Sequence, residues 1–286
     1  PQDPVPQDPV PQDPVPPPVV DPTPVPPPPV VDPTPVPPPP PDEEPAPAPA
    51  PGDPPVGSGI WLSREEILQL PMSGPARNNV KAAADSTPPA PKLSDQDQVT
   101  NVIVLAKALV FVRTGEARYR TQVVDLCRQA INTELGGRTL ALGRELAAYV
   151  IAADLVGLDP DVDQLFRAWL RRTLTEEING RTLRSTQEDR PNDWGLHAGA
   201  SRAAVARYLG DDGELAATAA VFKGWLGDRS AYAGFTYGDL AWQADPAMPV
   251  GINPKGAAKP GRAIAAVPPQ DQRRGGGVAR PPTKEE

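Results

Sequence analysis

Proline dominates the first fifth of the chain and restricts what that part can fold into. The sequence has 43 prolines in 286 residues, and more than half of them precede Gly57. The pentapeptide 1–5 occurs three times in tandem, and an eleven-residue repeat beginning at Val19 recurs from Val30. Because proline lacks a backbone donor and these repeats carry few large apolar side chains, the segment cannot build a core. We expect residues 1–56 to be a disordered or extended polyproline II linker, either a passive stalk or a ligand for a proline-binding partner.

The rest of the chain is long enough for one folded domain, which we place at residues 57–250. The formal net charge of -8 and the lack of a Lys/Arg run argue against a nucleic-acid partner. No apolar run approaches the length of a membrane helix, so no membrane partner is expected either. Cys127 is the single cysteine, so no disulfide can form within the chain. Its apolar neighbours indicate a buried, inert thiol rather than a nucleophile.

The apolar pattern of the folded part predicts helices and no strands. Ser63 and Glu66 form a capping box before a short helix, and Asp159 followed by Pro160 is typical of a helix start. Helices are predicted over 74–84, 99–112, 116–135, 139–157, 160–170, 193–209 and 213–226. Most are long and joined by short connections, which favours antiparallel hairpins stacked as a bundle or as a curved toroid. A toroid would collect helix ends and loops around one mouth and so form a cleft.

The last part of the chain changes character after Trp242. Closely spaced prolines and glycines exclude a helix, and residues 272–277 are basic and glycine-rich. We therefore treat residues 251–286 as an irregular loop or tail. Such a long irregular segment either lies across a cleft as a functional loop or precedes a further helix that the chain does not include.

One stretch, residues 190–202, combines residue types that suit a site for an acidic sugar. It holds Asn192, Trp194, Arg202 and the only histidine, His197, at the start of a predicted helix. Amide and guanidinium groups bind carboxylates, helix N-terminal amides favour anions, and an indole face packs against a pyranose ring. Each residue also has an ordinary structural role: Asn192 as a helix cap, His197 as a packing residue and Trp194 as part of the core. The pattern alone leaves both interpretations open.

A second stretch supplies candidate proton donors. Residues 231–239 form a glycine-broken loop that carries two tyrosines, of which Tyr237 lies closest to Asp239 and Trp242. In β-elimination from a uronate, a base removes the C5 proton after the carboxylate has been neutralised, and an acid protonates the leaving glycosidic oxygen. Histidine and tyrosine are suited to these two tasks. Loops supported by rigid helices often carry such groups.

These stretches resemble the alginate-lyase-like family of helical polysaccharide lyases. The resemblance extends over roughly 59–286 and is carried by five segments: Gly59–Ser63, Asn192–Arg202, Val221–Arg229, Phe235–Leu240 and Val250–Gly256. It implies an all-α fold, an incomplete (α/α) toroid of antiparallel helical hairpins. It also implies an enzyme that cleaves a uronic-acid-containing, alginate-like polysaccharide by β-elimination, without cofactor or metal. We expect such a protein to be a monomer that is secreted, periplasmic or held at the cell surface.

The resemblance assigns roles to individual residues. Asn192, His197 and Tyr237 take the catalytic positions. No arginine matches the carboxylate-binding position of the family clearly, so Arg202, Arg229 and Arg273 all remain candidates for it. The expected substrate-binding residues are Trp194, Arg202, Lys255 and Arg273. Two other functions stay open: a non-catalytic glycan-binding or cell-wall module on a proline-rich stalk, and a structural domain whose stalk is the functional part.

Overall fold

The computed structural model describes residues 59–259 and 261–271, and within these residues the chain is mostly helical. The predicted linker 1–56 and Arg273 lie outside them. The described residues belong to one compact unit. They form the following nine helices: α1 Arg64–Gln69, α2 Pro75–Asp85, α3 Thr100–Thr114, α4 Ala117–Ala130, α5 Thr139–Val156, α6 Pro160–Thr173, α7 Leu183–Asp189, α8 Asp193–Leu209 and α9 Asp212–Trp225.

The helices agree with the sequence prediction apart from α7, which the apolar pattern did not indicate. The predicted capping box of α1 is confirmed, since the amide of Glu66 donates to Ser63 Oγ and the amide of Ser63 donates to the Glu66 carboxylate. Asp159 does lie at the N-terminus of α6, but its side chain makes no capping hydrogen bond. The only strands among the described residues are two short ones, β1 Ala258–Lys259 and β2 Arg262–Ala263, which pair antiparallel.

Helices α3, α5 and α8 lie side by side and run in the same direction. Along α5 and α8 the residue numbers of contacting groups rise together: a Cβ at Gly143 would lie 2.9 Å from Ala198 N, and one turn later the Ser201 hydroxyl accepts from the amide of Ala147 at 3.0 Å. Helix α1 lies against the C-terminal ends of both α3 and α5, where Arg113 donates to Ile67 O and Arg64 donates to Leu155 O. The N-termini of the three parallel helices therefore meet at one end of the molecule.

The remaining long helices pack antiparallel against these three. Arg120, near the start of α4, donates to Gly157 O just beyond the end of α5 at 2.7 Å, and the Cys127 thiol contacts Tyr149 O at 3.8 Å. Helix α2 packs on α3, α6 on α4 and α8, and α9 on α8. Cys127 is buried, and burial raises the pKa of its thiol, which fits the predicted inert role. Within the described residues, no helix has the length and apolar character needed to cross a bilayer.

The described residues after α9 contain no further helix, as the prolines and glycines predict. They contribute a small core of their own, formed by Trp242, Ile264 and Val267. The Asn253 side chain fixes this segment internally, because its amide donates to Trp242 O at 2.8 Å and its oxygen accepts from the Ala244 amide at 2.9 Å. The irregular chain is thus packed against itself and can hold a loop in place.

Helix α5 buries a carboxyl group that the fold does not satisfy. Glu145 is 1% exposed, and its Oε2 has no hydrogen-bond partner in the described structure. Burial raises the pKa of this carboxyl to about 7. The unfolded chain releases the proton near its ordinary pKa of about 4.3, whereas the folded protein keeps it to about pH 7. Glu145 therefore lowers stability progressively as pH rises between these two values.

We expect Glu145→Gln to stabilise the protein at pH 8 and to have little effect at pH 4. The cost of ionising Glu145 at pH 8 is on the order of 3 kcal/mol, of which the substitution should recover about 1–3 kcal/mol because the amide is itself buried. Urea denaturation at both pH values measures the difference. An equal free energy of unfolding for the two proteins at pH 8 would show that the carboxyl is solvated or paired.

Candidate functional site

The site predicted from the sequence is centred on the N-terminus of α8. Asn192 caps this helix, and its Oδ1 accepts from the amide of Gly195 at 3.5 Å. Its Nδ2 donates to no other residue of the described chain. Gly195 is required here because a Cβ at this position would collide with the carbonyl oxygen of Arg190. One side of the Asn192 amide therefore serves the helix, and the other is available to a ligand. The first three amides of α8 already donate to the side chains of Asp271, Asp193 and Asn192.

His197 lies slightly more than one turn into α8 and is half-buried. Its backbone packs against Gly143 of α5, where an added Cβ would approach His197 C at 3.0 Å. Burial lowers the pKa of the imidazole, the nearby Arg144 lowers it further, and Asp193 acts in the opposite direction. His197 is thus neutral at neutral pH, as a general base must be.

The loop carrying Tyr237 is fixed to the junction between α7 and α8. Thr236 makes two hydrogen bonds to Asp189: its amide donates to the backbone oxygen at 2.9 Å, and its hydroxyl donates to Oδ1 at 2.6 Å. Two consecutive residues, Gln270 and Asp271, connect the loop to α8. Gln270 Oε1 accepts from the amide of Gly238 at 3.1 Å, and the Asp271 carboxylate accepts from the amide of Asp193 at 3.1 Å. These bonds hold Tyr237 on the same side of the molecule as the start of α8.

Tyr237 itself is half-buried, and its ring packs edge-on to Phe235 with 6.1 Å between centroids. Burial raises the pKa of the phenol, and Arg229 offsets part of that effect. The hydroxyl therefore stays protonated at neutral pH. Such a phenol is suited to donate a proton rather than to accept one.

Trp194 and Arg190 form a cation–π pair at the same helix start. The Arg190 guanidinium lies 4.3 Å from the indole centroid. Burial lowers the pKa of Arg190, and the nearby Arg181 contributes in the same direction. Trp194 is only half-buried, so part of its indole is open to a ligand. An indole carrying a guanidinium presents an apolar face and a positive charge together.

Arg202 does not lie where a polymer can reach it. Its side chain is 2% exposed. It is bonded to Glu214 of α9, to Gln187 at 3.0 Å and to Glu188 at 2.8 Å. Arg184 makes a second, bidentate pair with Glu214, at 2.7 and 3.1 Å. The prediction that Arg202 binds substrate is at odds with this position, because the guanidinium joins α8 to α7 and α9 inside the protein.

The other predicted ligand residues are less closely tied to the site. Lys255 lies exposed on a turn, and its amine forms no ion pair with any described residue. Arg273 falls outside the described part of the chain. The structure thus associates Asn192, Trp194 and His197 with one helix start and the Tyr237 loop with that start. It separates Arg202 from them.

Three arginines near these groups lack a carboxylate partner among residues 59–259 and 261–271. They are Arg144 near His197, Arg229 near Tyr237, and Arg190 on Trp194. In a chain with a net charge of -8, unpaired guanidinium groups beside both candidate proton-transfer residues favour an anionic ligand. Sequence reasoning missed Arg144. The one signal for it was a charged pair, Arg144 and Glu145, within an otherwise apolar helix.

An apolar cavity of about 370 Å³ adjoins this region between α8 and α9. Its walls include Leu196, Phe222, Trp225 and Phe235, and among the described residues Arg190 is the only charged one that lines it. Since Phe235 also packs on Tyr237, the cavity and the Tyr237 loop share a wall.

No group of three or more metal-ligating side chains occurs in the described part of the chain. Comparisons with known protein families, with curated proteins and with solved structures found no match to the chain.

Proposed function

We propose that the protein is a polysaccharide lyase that cleaves a uronic-acid-containing, alginate-like glycan by β-elimination. The observation that supports this most directly is the bridge of Gln270 and Asp271, which ties the Tyr237 loop to the helix start carrying Asn192 and His197. A neutral imidazole, a protonated phenol and an available amide are associated there. β-Elimination needs these three groups and no cofactor.

In the proposed reaction the substrate carboxylate binds first. The Asn192 Nδ2 and an unpaired guanidinium neutralise its charge, which makes the C5 proton more acidic. Arg229 and Arg190 are the best candidates for that guanidinium, because Arg202 is occupied inside the protein. Trp194 with Arg190 offers a face for the adjacent pyranose ring.

The proton transfers then follow from the protonation states. His197 removes the C5 proton as general base, the electron pair forms the C4–C5 double bond, and the C4–oxygen bond breaks. Tyr237 donates its proton to the departing glycosidic oxygen. The products are a shortened chain and a new end bearing a 4,5-unsaturated uronate.

The arrangement of helices supports the same proposal. Three parallel inner helices with antiparallel neighbours are what an incomplete (α/α) toroid requires, and the candidate site lies at the end where the inner N-termini meet. Under this proposal the protein acts as a monomer on an extracellular, cell-surface or periplasmic polymer, with residues 1–56 as the stalk.

Absorbance near 235 nm tests the proposal, because the unsaturated uronate absorbs there and the substrate does not. Purified full-length protein is incubated with a panel of polyuronates, and we expect an increase with time for at least one polymer. Glycan binding to the same panel is measured in parallel. Polymer binding without any absorbance change would contradict the lyase proposal.

Polymer binding without an absorbance change would identify the alternative function, a non-catalytic glycan-binding or cell-wall module. The Trp194–Arg190 pair supports it, because an indole with a guanidinium can hold an acidic sugar without any proton transfer. In such a module, Trp194→Ala would abolish binding, whereas Tyr237→Phe would leave it intact.

Asn192→Ser separates the catalytic role of Asn192 from its capping role. Serine caps helices nearly as well as asparagine, so we expect the melting temperature to stay within a few degrees. Loss of the amide should lower kcat/KM by about 10²–10³, as for removal of one donor to a developing anion. The 235 nm assay and a thermal melt measure the two effects.

The matched control is Asp211→Ser at the start of α9, where the Asp211 side chain accepts from the Glu214 amide at 2.9 Å. This is a cap substitution away from the candidate site, so activity should be retained. Equal activity for Asn192→Ser and Asp211→Ser would leave Asn192 with a structural role alone.

A further inference from the structure

The apolar cavity of about 370 Å³ between α8 and α9 is a slot that runs along both helices. One stripe of α8 forms one wall, and a matching stripe of α9 forms the other, each with residues three or four positions apart. Each stripe advances seven positions, so the slot is about 10 Å long. The stripes consist of Leu196, Gly199, Ala200 and Ala203 on α8 and of Leu215, Thr218, Ala219 and Phe222 on α9.

The two helices are antiparallel, so the slot has two distinct ends. Arg202 on α8 is bonded to Glu214 in the first turn of α9. One turn earlier on α8, Gly199 packs against the side chain of Gln187. The Gln187 amide in turn donates to Thr218 O, one turn later on α9. The start of α8 therefore lies beside the end of α9, and the end of α8 lies beside the start of α9.

The chemistry of the two ends differs. Ala203 and Leu215 lie at the end next to the α8–α9 connection and are apolar. Trp225, Phe235 and Arg190 lie at the other end, beside the start of α8. Arg190 is the only charged residue among the described ones that line the slot, and its guanidinium has no carboxylate partner among them. The slot is thus apolar at one end and cationic at the other.

The remaining lining offers a ligand no free polar side chain. Besides Arg190, the polar side chains among the described lining residues are those of Gln187 and Thr218. Gln187 Oε1 accepts from Arg202 at 3.0 Å, and its Nε2 donates to Thr218 O at 3.2 Å. The Thr218 hydroxyl donates to Glu214 O at 2.8 Å. A ligand must therefore place its polar group at Arg190 and keep the rest of its body apolar.

We propose that the slot binds a linear aliphatic carboxylate, a medium-chain fatty acid, with its carboxylate on Arg190. A guanidinium forms charge-assisted, bidentate hydrogen bonds with a carboxylate. The chain would run along the slot toward Ala203 and Leu215, because an unbranched body fits a slot that follows two helices. The slot is open to solvent along its length, since Ala200 is exposed and Phe222 is 47% exposed.

The charge of the slot excludes two other ligand classes. An aliphatic amine would bring its ammonium group to the Arg190 guanidinium, so like charges would meet. A neutral alcohol would fill the apolar part but would leave the guanidinium without an anion. The proposal is independent of the lyase activity. If both hold, Arg229 remains to neutralise the carboxylate of the glycan.

The test titrates the full-length protein by calorimetry at neutral pH with octanoate, hexanoate, octan-1-ol and octylamine. Octanoate should bind at least about tenfold more tightly than octan-1-ol, as expected for a charge-assisted contact. It should also bind about tenfold more tightly than hexanoate, because each buried CH₂ group strengthens binding about threefold to fourfold. Octylamine should not bind measurably.

Arg190→Gln tests the cationic end of the slot. It should weaken octanoate binding about tenfold or more and leave octan-1-ol binding within about twofold, because only the carboxylate contact is lost. Arg207→Gln removes an exposed arginine of α8 and is the matched control, which should bind octanoate like the unchanged protein. Thermal melts of both variants show whether they are folded.

Ala203→Leu tests the apolar end of the slot. The added side chain should weaken octanoate binding about tenfold or more but hexanoate binding by less than about threefold, because the shorter chain does not reach this end. Ala216→Leu adds the same side chain at an exposed position of α9 that does not line the slot, and it should bind both acids normally.

Three results would overturn the proposal. The first is a lack of octanoate binding to the unchanged protein at millimolar concentration. The second is equal binding of octanoate and octan-1-ol, which would show that Arg190 does not select the ligand. The third is unchanged octanoate binding in a folded Arg190→Gln or Ala203→Leu protein. Since these two positions lie at opposite ends of the slot, either variant alone tests the proposal if the other fails to fold.

Discussion

Arg202→Met should lower the free energy of unfolding by about 3 kcal/mol. The substitution preserves most of the side-chain volume but removes the buried charge that Glu214 faces. Arg184 still pairs with Glu214, yet its side chain is 40% exposed and cannot replace the inner partner. Breaking one side of a buried pair typically costs 3–5 kcal/mol because the other charge stays desolvated. Urea denaturation at pH 7 measures the change.

Two further variants show where this energy comes from. Arg207→Met removes an exposed arginine from the same helix and should change stability by less than about 0.5 kcal/mol. Adding Glu214→Leu to Arg202→Met removes the uncompensated carboxylate and should restore part of the loss. An Arg202→Met protein of normal stability with a raised KM would instead support the substrate-binding role predicted from the sequence.

Arg202 shows why the sequence located the helices better than it located their functional faces. Helix α8 carries small and apolar residues on most of its circumference, so its periodicity does not indicate which side faces inward. From the sequence, an arginine five residues after the histidine could face either the interior or the candidate site. Only the approach of Glu214 from α9, twelve residues further along the chain, places it in the interior.

The short helix α7 was missed for a related reason. Its seven residues contain one large apolar side chain, Leu183, so no 3.6-residue period can appear. Its local signal was the capping pair Thr182 and Ser185, in which serine takes the place of the more familiar glutamate. By contrast, α1 has the common Ser–Glu pair and was predicted correctly.

Only those parts of the candidate site that lie close together in the sequence could be predicted. Asn192 and His197 lie within one turn and a half of one helix, so helix geometry places both near the same helix start, although positions five residues apart point about 140° apart. The association of Tyr237 with them depends on hydrogen bonds that the Gln270 and Asp271 side chains accept from backbone amides 32 and 78 residues away. Backbone partners of this kind leave no pattern in the sequence.

Tyr237→Phe should reduce the lyase rate by about 10²–10⁴ while the domain stays folded, because loss of a positioned proton donor typically has an effect of this size. The hydroxyl makes no hydrogen bond to another described residue, so its removal should cost less than about 1 kcal/mol of stability. Initial rates at 235 nm, together with a thermal melt, measure both quantities.

Tyr232→Phe is the matched control because it lies in the same loop and has a structural hydroxyl. Its phenol donates to Glu188 O at 2.6 Å, so this substitution should cost about 1 kcal/mol of stability. Activity of the folded protein should fall far less than in Tyr237→Phe. The two tyrosines therefore separate anchoring of the loop from proton transfer. If Tyr237→Phe is as active as the unchanged protein, Tyr237 is not the acid. If Tyr232→Phe loses as much activity as Tyr237→Phe, the position of the loop, rather than the Tyr237 proton, limits the rate.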